Sequence, residues 1–286
     1  MTISPPPDAK RYPPIGVLLR AWRGARRMSQ LDMALACGMS ARHLGFVETG
    51  KARASRDAVE RFADALSVPL RERNALLLAA GYAPRYEERD LTTPALERMR
   101  DAIDLILHHQ EPYPAFVLNR HFDVLRANGA AMRINRFVMR GRESRHGNLL
   151  RQIFDPEDFR PVIANWHEVA TGFLRRLHDH LAATPGDERG QQLLTELLAY
   201  PDVPQEWRFR GGEVEPLLTL DFRSPAGPLR FFETITTFAS PFDVTLDELR
   251  IDCAFPIDKH TAGICATLAA GGTPGDAPAI DFQDRA

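Results

Sequence analysis

The sequence has 286 residues, of which 44% are hydrophobic and 26% are charged, and its formal net charge is -2 at pH 7. This is the composition of a folded soluble protein, and the length favours two domains over one. No apolar run approaches the ~20 residues of a membrane span and no secretory signal pattern is present, so we expect a cytoplasmic protein without a membrane partner. Cys37, Cys253 and Cys265 are far apart and form no C-x-x-C pair, which argues against a disulfide framework or a zinc site.

The first elements in chain order are a proline-rich arm and a helix. Residues 1–13 cannot hold a helix and are predicted to form a flexible arm. The helical spacing of the next apolar residues predicts a first helix with one buried face, formed by Ile15, Leu18, Leu19 and Trp22.

The stretch from Arg26 to Gly50 has the pattern of two short helices joined by a turn. Ser29 followed by Asp32 is a capping-box pattern that predicts where the first of the two begins. Gly38 supplies the backbone freedom to leave that helix. The spacing of its apolar residues predicts a core-facing side formed by Leu31, Ala34 and Leu35.

The second helix of this pair is predicted over 41–49, with Ser40 as its N-cap. Leu44 and Val47 lie one turn apart and are expected in the core, which leaves Arg42 and Phe46 on the opposite side. Two capped helices joined by a glycine turn also form ordinary helical hairpins. The alternative, a helix-turn-helix that enters DNA, gains support from the charge distribution.

Basic charge is concentrated around this motif. Residues 1–56 contain ten Lys and Arg against three acids, a balance of +7, although the whole chain carries -2. Such a basic segment favours DNA because its binding releases counterions from the phosphates. The second helix would meet base edges in the major groove. We therefore predict base contacts by Ala41, Arg42, His43 and Phe46, and phosphate contacts by Ser29, Gln30, Lys51, Arg53 and Arg56.

Two further helices complete the predicted head. Ser55 caps a helix whose apolar residues repeat with helical spacing, and Pro69 begins a fifth helix that Gly81 ends. The polar stretch PRYEERDLTT follows, so we place a domain boundary near Asp90. Residues 14–90 are thus predicted to be an all-α, five-helix DNA-binding domain.

Residues 91–270 are predicted to form a second, α+β domain. A linking helix over 94–109 carries an apolar stripe that packs either on its own domain or on a second subunit. A hairpin, a helical middle region and three later strands then predict an antiparallel sheet with helices on one face. The predicted strands are Ala115–Leu118, Phe122–Leu125, Val214–Arg223, Leu229–Ala239 and Leu249–Phe255. Residues 271–286 are predicted to be a disordered tail.

Several segments resemble a known family. SQLDMALACGMSARHLGFVETGKARAS resembles the helix-turn-helix of Xre-family transcription regulators, which implies a lambda-repressor-like head. The segments FADALSVPLRERNALLLAAGYAP, PAFVLNRHFDVLRAN and LDELRIDCAFPIDKHT resemble the MmyB-like branch, in which this head is joined to a PAS-like ligand-binding domain. The resemblance implies a transcription regulator and an apolar cavity suited to a fatty-acid-like ligand.

The aromatic residues of the second domain are the candidates for this cavity, although each could equally belong to an ordinary core. We expect the ligand between the sheet and the Trp166 helix, without any other cofactor. The predicted pocket residues are Phe116, Phe122, Val162, Trp166, Val169, Phe173, Phe222, Phe231 and Phe238.

Other function classes have less support. His178 and His180 are two residues apart and point away from each other on a helix, and no H-E-x-x-H, G-x-S-x-G or P-loop pattern occurs, so we expect no enzyme and no metal. An antitoxin-like repressor controlled by a protein partner is the alternative. The ligand-controlled regulator would act as a homodimer on a near-palindromic DNA site.

Overall fold

The computed structural model describes residues 13–205, 207, 218–239 and 241–274. It divides into two compact units. The first comprises Met1–Asp90, His178–Gln191 and Ala239–Asp247, and the second comprises Leu91–Leu177, Gln192–Phe238 and Glu248–Ala286. The predicted arm up to residue 12, the predicted tail after residue 274 and the 214–217 part of a predicted strand lie outside the described residues.

The first unit begins with the predicted all-α head, which is confirmed. Ser29, Ser40 and Ser55 each accept a hydrogen bond from the backbone N–H three residues later, and these bonds fix where α2, α3 and α4 begin. The core of the head includes Leu19, Trp22, Leu44, Val47, Phe62 and Leu76. The helices are α1 (Ile15–Ala25), α2 (Gln30–Ala36), α3 (Ala41–Glu48), α4 (Arg56–Ala65) and α5 (Leu70–Ala79).

The predicted core face of α2 is wrong in part. Leu31 and Leu35 are 58% and 70% exposed, whereas Met33 and Cys37 join the predicted Ala34 in the core. Both sets of residues have helical spacing, so periodicity could not choose between them. The choice is made by α4, whose Arg61 backbone oxygen lies 3.5 Å from the Cys37 Sγ.

Two later segments of the chain also belong to the first unit. Arg26 donates a hydrogen bond from Nη1 to the backbone oxygen of Ala183, at 2.9 Å. The Asp247 carboxylate accepts a hydrogen bond from the Leu70 N–H at the start of α5, at 3.0 Å. The head is therefore anchored to segments that the sequence had assigned wholly to the second domain.

The second unit is built on one five-stranded antiparallel sheet with the order β2-β1-β5-β4-β3. This confirms the predicted α+β class. The central strand β5 pairs with the first strand and with β4, so the sheet closes only when residues more than 130 positions apart meet. The strands are β1 (Ala115–Leu118), β2 (Val124–Ala127), β3 (Thr219–Ser224), β4 (Gly227–Thr236) and β5 (Arg250–Pro256).

The remaining helices lie before, between and after the strands in the sequence. The apolar stripe of α6 is buried within the single chain, since Ile103 is fully buried and Leu107 is 6% exposed. The helix α9 begins in the second unit and its residues from His178 onward belong to the first. The helices are α6 (Glu97–His109), α7 (Gly129–Val138), α8 (Leu149–Phe154), α9 (Trp166–Ala183), α10 (Glu188–Leu198), α11 (Val244–Asp247) and α12 (Lys259–Ala269), with 3-10 turns at Pro94–Leu96 and Arg160–Val162.

Candidate DNA-binding surface and ligand cavity

The turn between α2 and α3 is fixed by local interactions. Gly38 has a φ of +64°, in the left-handed region that favours glycine. The Ser29 hydroxyl and the Asp32 carboxylate bond each other's backbone N–H groups at 3.1 Å, as a capping box requires. The hydroxyl and backbone bonds from Ser29 hold the pKa of Asp32 below its usual value. These bonds set the start of α2, and the Ser40 hydroxyl sets the start of α3.

The outer face of α3 carries three of the four predicted base-contacting residues, Arg42, His43 and Phe46. Arg42 and His43 are exposed, Phe46 is 37% exposed and Ala41 is half-buried. The Arg42 guanidinium carbon lies 5.4 Å from the centre of the Phe46 ring, which places the two side chains side by side on this face. Leu44 and Val47 are fully buried on the opposite face. Ala41 packs against the core of the head. The structure therefore presents Arg42, His43 and Phe46 to solvent on α3, and the prediction for Ala41 has no exposed side chain to support it.

A buried acid at the end of α3 holds this helix in place. Glu48 is 3% exposed, and its carboxylate accepts hydrogen bonds from Arg23 at 2.9 and 3.2 Å and from Gln30 at 2.7 Å. Its backbone oxygen accepts a further bond from Arg20 Nη1 at 2.7 Å. Charge-assisted hydrogen bonds of this kind rigidify a helix. The sequence analysis missed this network, although Glu48 is one of only three acids in the basic first 56 residues.

The predicted phosphate contacts form two groups. Ser29 and Gln30 lie at the start of α2, where the free N–H groups of a helix favour an anion, but both side chains already have partners within the head. Lys51 and Arg53 are exposed in the segment between α3 and α4, and Arg56 is exposed at the first residue of α4. The Arg53 guanidinium lies 5.5 Å from the Tyr82 ring. The second group is thus the more accessible one.

The second unit contains a small cavity against one face of the sheet. Phe231 and Glu233 on β4 point to the same face because side chains alternate along a strand, and Ala254 of β5 lies opposite Glu233. The cavity has a volume of about 40 Å³. Its helical wall comes from α7 and α8. The described lining residues are Pro114, Phe116, Ile134, Asn135, Leu149, Gln152, Ile153, Phe159, Ile163, Leu220, Phe222, Phe231, Glu233 and Ala254.

Three of the nine predicted pocket residues, Phe116, Phe222 and Phe231, line this cavity. The residues predicted on α9, the helix that begins at Trp166, do not line this cavity. The buried side of α9 contacts other side chains. Phe173 forms an edge-to-face contact with Phe122, with ring centres 6.0 Å apart. Val169 is buried outside the cavity lining, and Val162 and Phe238 are half-buried outside it.

Trp166 contributes to a different feature, an open groove of about 520 Å³. The Arg160 guanidinium lies 3.7 Å from the centre of the Trp166 ring. Arg160 donates to the Pro201 backbone oxygen, and Arg223 donates to the backbone oxygens of Pro161 and Ile163. Both arginines of this groove therefore already bind backbone acceptors.

A cluster of buried and half-buried charged side chains lies beside the small cavity, and the sequence analysis missed it. It consists of Glu233, Asp252, Arg176 and Arg250. Asp252 is 2% exposed, with Arg250 Nε at 3.5 Å and Arg176 Nη1 at 3.9 Å from its carboxylate oxygens. The Arg250 guanidinium also lies 3.7 Å from the Phe122 ring centre. Burial, together with the charge of Asp252, raises the pKa of Glu233 to about 7.

Cys37, Cys253 and Cys265 are free and buried, and burial raises the pKa of Cys265 to about 11. Within the described ranges, no group of three or more His, Cys, Asp or Glu side chains could hold a metal ion. In the same part of the chain, every helix is too short or too polar to cross a membrane.

The head and the sheet unit together define a class of protein, a DNA-binding regulator with a helix-turn-helix and a separate ligand-binding domain. Comparison with protein families identifies residues 14–76 as a helix-turn-helix domain and residues 99–268 as an MmyB-like transcription regulator ligand binding domain. The chain belongs to the family of MmyB-like transcription regulators, as its sequence segments had indicated. A search of curated proteins found no match.

Proposed function

We propose that this protein is a sequence-specific DNA-binding transcription regulator whose DNA affinity is changed by a small apolar, fatty-acid-like ligand in the second unit. It acts through binding and not through catalysis. The observation that carries the proposal is the outer face of α3, where Arg42 and His43 are exposed on a helix that Glu48 holds from behind.

In the proposed complex, α3 lies in the major groove. Arg42 has a guanidinium that bonds guanine O6 and N7 with two parallel donors, and Phe46 suits a thymine methyl group. Lys51, Arg53 and Arg56 bind phosphates on either side and fix the register. Two heads of a homodimer would occupy half-sites about one helical turn apart, so the DNA site would be a near-palindrome.

The ligand must bind the DNA-competent and the incompetent arrangements with different affinity. The small size of the cavity provides a reason for such a difference in affinity. Its volume of about 40 Å³ is far below the roughly 300–1,000 Å³ of most ligand sites. A chain-like ligand enters only if the wall side chains move. Three of the wall residues lie on β4 and β5, namely Phe231, Glu233 and Ala254.

The chain between β4 and β5 supplies the proposed route to the head. Residues Ala239–Asp247 follow β4 and precede β5, yet they belong to the unit that contains the head. Asp247 caps the N-terminus of α5 through the Leu70 N–H. A displacement of β4 or β5 by the ligand would therefore be transmitted along a short, hydrogen-bonded connection.

The test is DNA binding by the full-length protein to fragments of its own upstream region, at two salt concentrations, with and without a panel of fatty acids. We expect Arg42→Ala to relax specificity at one position by roughly 1–3 kcal/mol, and Arg53→Ala to weaken all sequences alike and lower the salt slope by about one. Arg98→Ala, an exposed arginine of α6, is the control and should change neither. Identical effects of the two head variants on cognate and random DNA would contradict the assignment.

A second candidate is an antitoxin-like repressor controlled by a protein partner. The small volume of the cavity favours it, because a domain without a ligand could serve protein binding alone. The two functions differ in one measurement. If fatty acids change the melting temperature and the DNA affinity, the ligand-controlled function is supported. If fatty acids change neither and the protein co-purifies with a second chain, control by a protein partner is supported.

A further inference from the structure

The turn between α1 and α2 carries an arginine in a backbone conformation that favours glycine. Each of the helices α1 to α5 is followed by a residue with a positive φ, and the N–H group of the next residue donates to a carbonyl oxygen of the last helical turn at 2.8–3.1 Å. Three of these residues are glycines, namely Gly38, Gly50 and Gly81. Ser67 follows α4, and Arg27 follows α1 with a φ of +53°. Arg27 therefore closes α1 in the way that glycine closes α2, α3 and α5.

The Arg27 side chain makes this conformation unfavourable and is not compensated within the head. A Cβ atom crowds the following carbonyl oxygen in the left-handed region, and glycine lacks that atom. Arg27 is exposed, and its guanidinium forms no hydrogen bond or ion pair within the described part of the chain. The neighbouring Arg20, Arg23 and Arg26 each donate to an acceptor in the head. A charged residue that strains the backbone without an internal contact indicates a role in binding.

The hydrogen bonds of the turn place Arg27 close to the end of α3. Arg23 donates from Nη1 to the backbone oxygen of Met28 at 3.1 Å, and the same guanidinium donates to the Glu48 carboxylate at 2.9 and 3.2 Å. One side chain thus connects the residue after Arg27 to the last residue of α3. Gln30 adds a second connection, because its amide donates to Glu48 at 2.7 Å. Arg27 is therefore held beside the helix that carries the proposed reading face.

The side chains predicted to bind phosphate next to this turn are already engaged. The Ser29 hydroxyl bonds the Asp32 carboxylate at 2.6 Å, and the Gln30 amide bonds Glu48. The role of Arg27 rests on the proposed function, since it assumes that α3 lies in the major groove. We propose that Arg27 binds a DNA phosphate beside the groove that α3 enters, and that the left-handed backbone of the turn directs it there. Such a contact adds affinity through counterion release and carries no sequence information.

The experiment measures the affinity of the full-length protein for DNA by fluorescence anisotropy over a range of salt concentrations. The two probes are a fragment of the protein's own upstream region and a random duplex of equal length. We expect Arg27→Gly to weaken both complexes alike and to lower the salt slope by about 0.9 for each bound head. The same variant should have a higher midpoint in urea denaturation, because glycine relieves the left-handed backbone. A loss of affinity together with a gain in stability distinguishes a DNA contact from a structural role.

Two further variants serve as controls. Arg27→Lys keeps the positive charge and should retain the salt slope of the unaltered protein. Arg140→Gly makes the same chemical change in the second unit, since Arg140 is also exposed and has a φ of +52°. It should leave both DNA affinities and the salt slope unchanged.

The possible outcomes separate the role of Arg27 from the function of the head. An unchanged salt slope in Arg27→Gly, or an equal reduction in Arg140→Gly, would overturn the phosphate contact. An effect on the upstream fragment alone would also overturn it, because it would indicate a base contact. Failure of the unaltered protein to bind either probe would instead overturn the proposed function. If Arg27→Gly does not fold by circular dichroism, Arg27→Gln removes the charge and decides the question.

Discussion

Gly16 of α1 tests whether the backbone of α3 is held as tightly as the structure indicates. A Cβ atom on Gly16 would lie 2.2 Å from the backbone oxygen of Glu48, 2.6 Å from its carbonyl carbon and 2.9 Å from its Cα. Favourable carbon–carbon contacts lie at about 3.5–4.0 Å. Because all three atoms are backbone, Gly16→Ala can be accommodated only by moving α1 away from the end of α3.

We expect Gly16→Ala to lower the free energy of unfolding by a large amount for the addition of a single methyl group. Overpacking of a core typically costs about 1–3 kcal/mol, and occasionally more. Here the movement also strains the bonds of Arg20 and Arg23 to Glu48. We therefore expect Gly16→Ala to lower the free energy of unfolding of the head by at least about 3 kcal/mol. It should also weaken DNA binding, because the displaced Glu48 no longer fixes the angle of α3.

The control lies in the same helix. Gly24 has no atom within 4 Å of an added Cβ, so Gly24→Ala should stabilise by about 0.5–1 kcal/mol through its helix propensity. Urea denaturation followed by circular dichroism measures both variants, and DNA binding is measured below the unfolding transition. If Gly16→Ala were as stable as the unaltered protein, the packing of α1 against α3 described above would be wrong.

Three further predictions concern buried charges and the connection to the head. Arg23→Ala should cost about 3 kcal/mol because it leaves Glu48 buried and short of a partner, and combining it with Glu48→Gln should recover part of that loss. The pKa of Glu233 is raised from 4.5 to about 7, so protonation of this side chain stabilises the folded state. This contribution is complete below pH 4.5 and is lost as the pH rises through 7. Glu233→Gln should therefore gain stability relative to the unaltered protein between pH 4.5 and 7, by up to about 3 kcal/mol in urea denaturation, and a constant difference would contradict the raised pKa. Asp247→Ala should cost about 1 kcal/mol by removing the acceptor for the Leu70 N–H, and should reduce the ligand's effect on DNA affinity without changing ligand affinity, whereas Asp247→Asn should retain both.

Features that depend on neighbouring residues could be predicted from the sequence. The starts of α2, α3 and α4 follow from Ser29, Ser40 and Ser55, because an N-cap acts within three residues. The exposed position of Arg42 follows from the spacing of Leu44 and Val47 on the opposite face of α3. The strands near 115–118, 227–236 and 250–256 follow from their extended apolar patterns. These local signals were sufficient for the fold class and for the helix-turn-helix.

Features that depend on distant residues were decided by the tertiary structure. Periodicity left two candidate faces on α2, and contact with α4 selected Met33 and Cys37 over Leu31 and Leu35. Aromatic content pointed to Trp166 as a pocket residue, but the cavity lies against α7 and α8.

The charged cluster was also decided by the tertiary structure. Pairing of β4 with β5 brings Glu233 beside Asp252, and α9 adds Arg176. No local pattern marks these residues, because each is an ordinary charged side chain until the sheet forms and removes it from water. Long-range strand pairing, and the burial that follows it, therefore brought these charged side chains together.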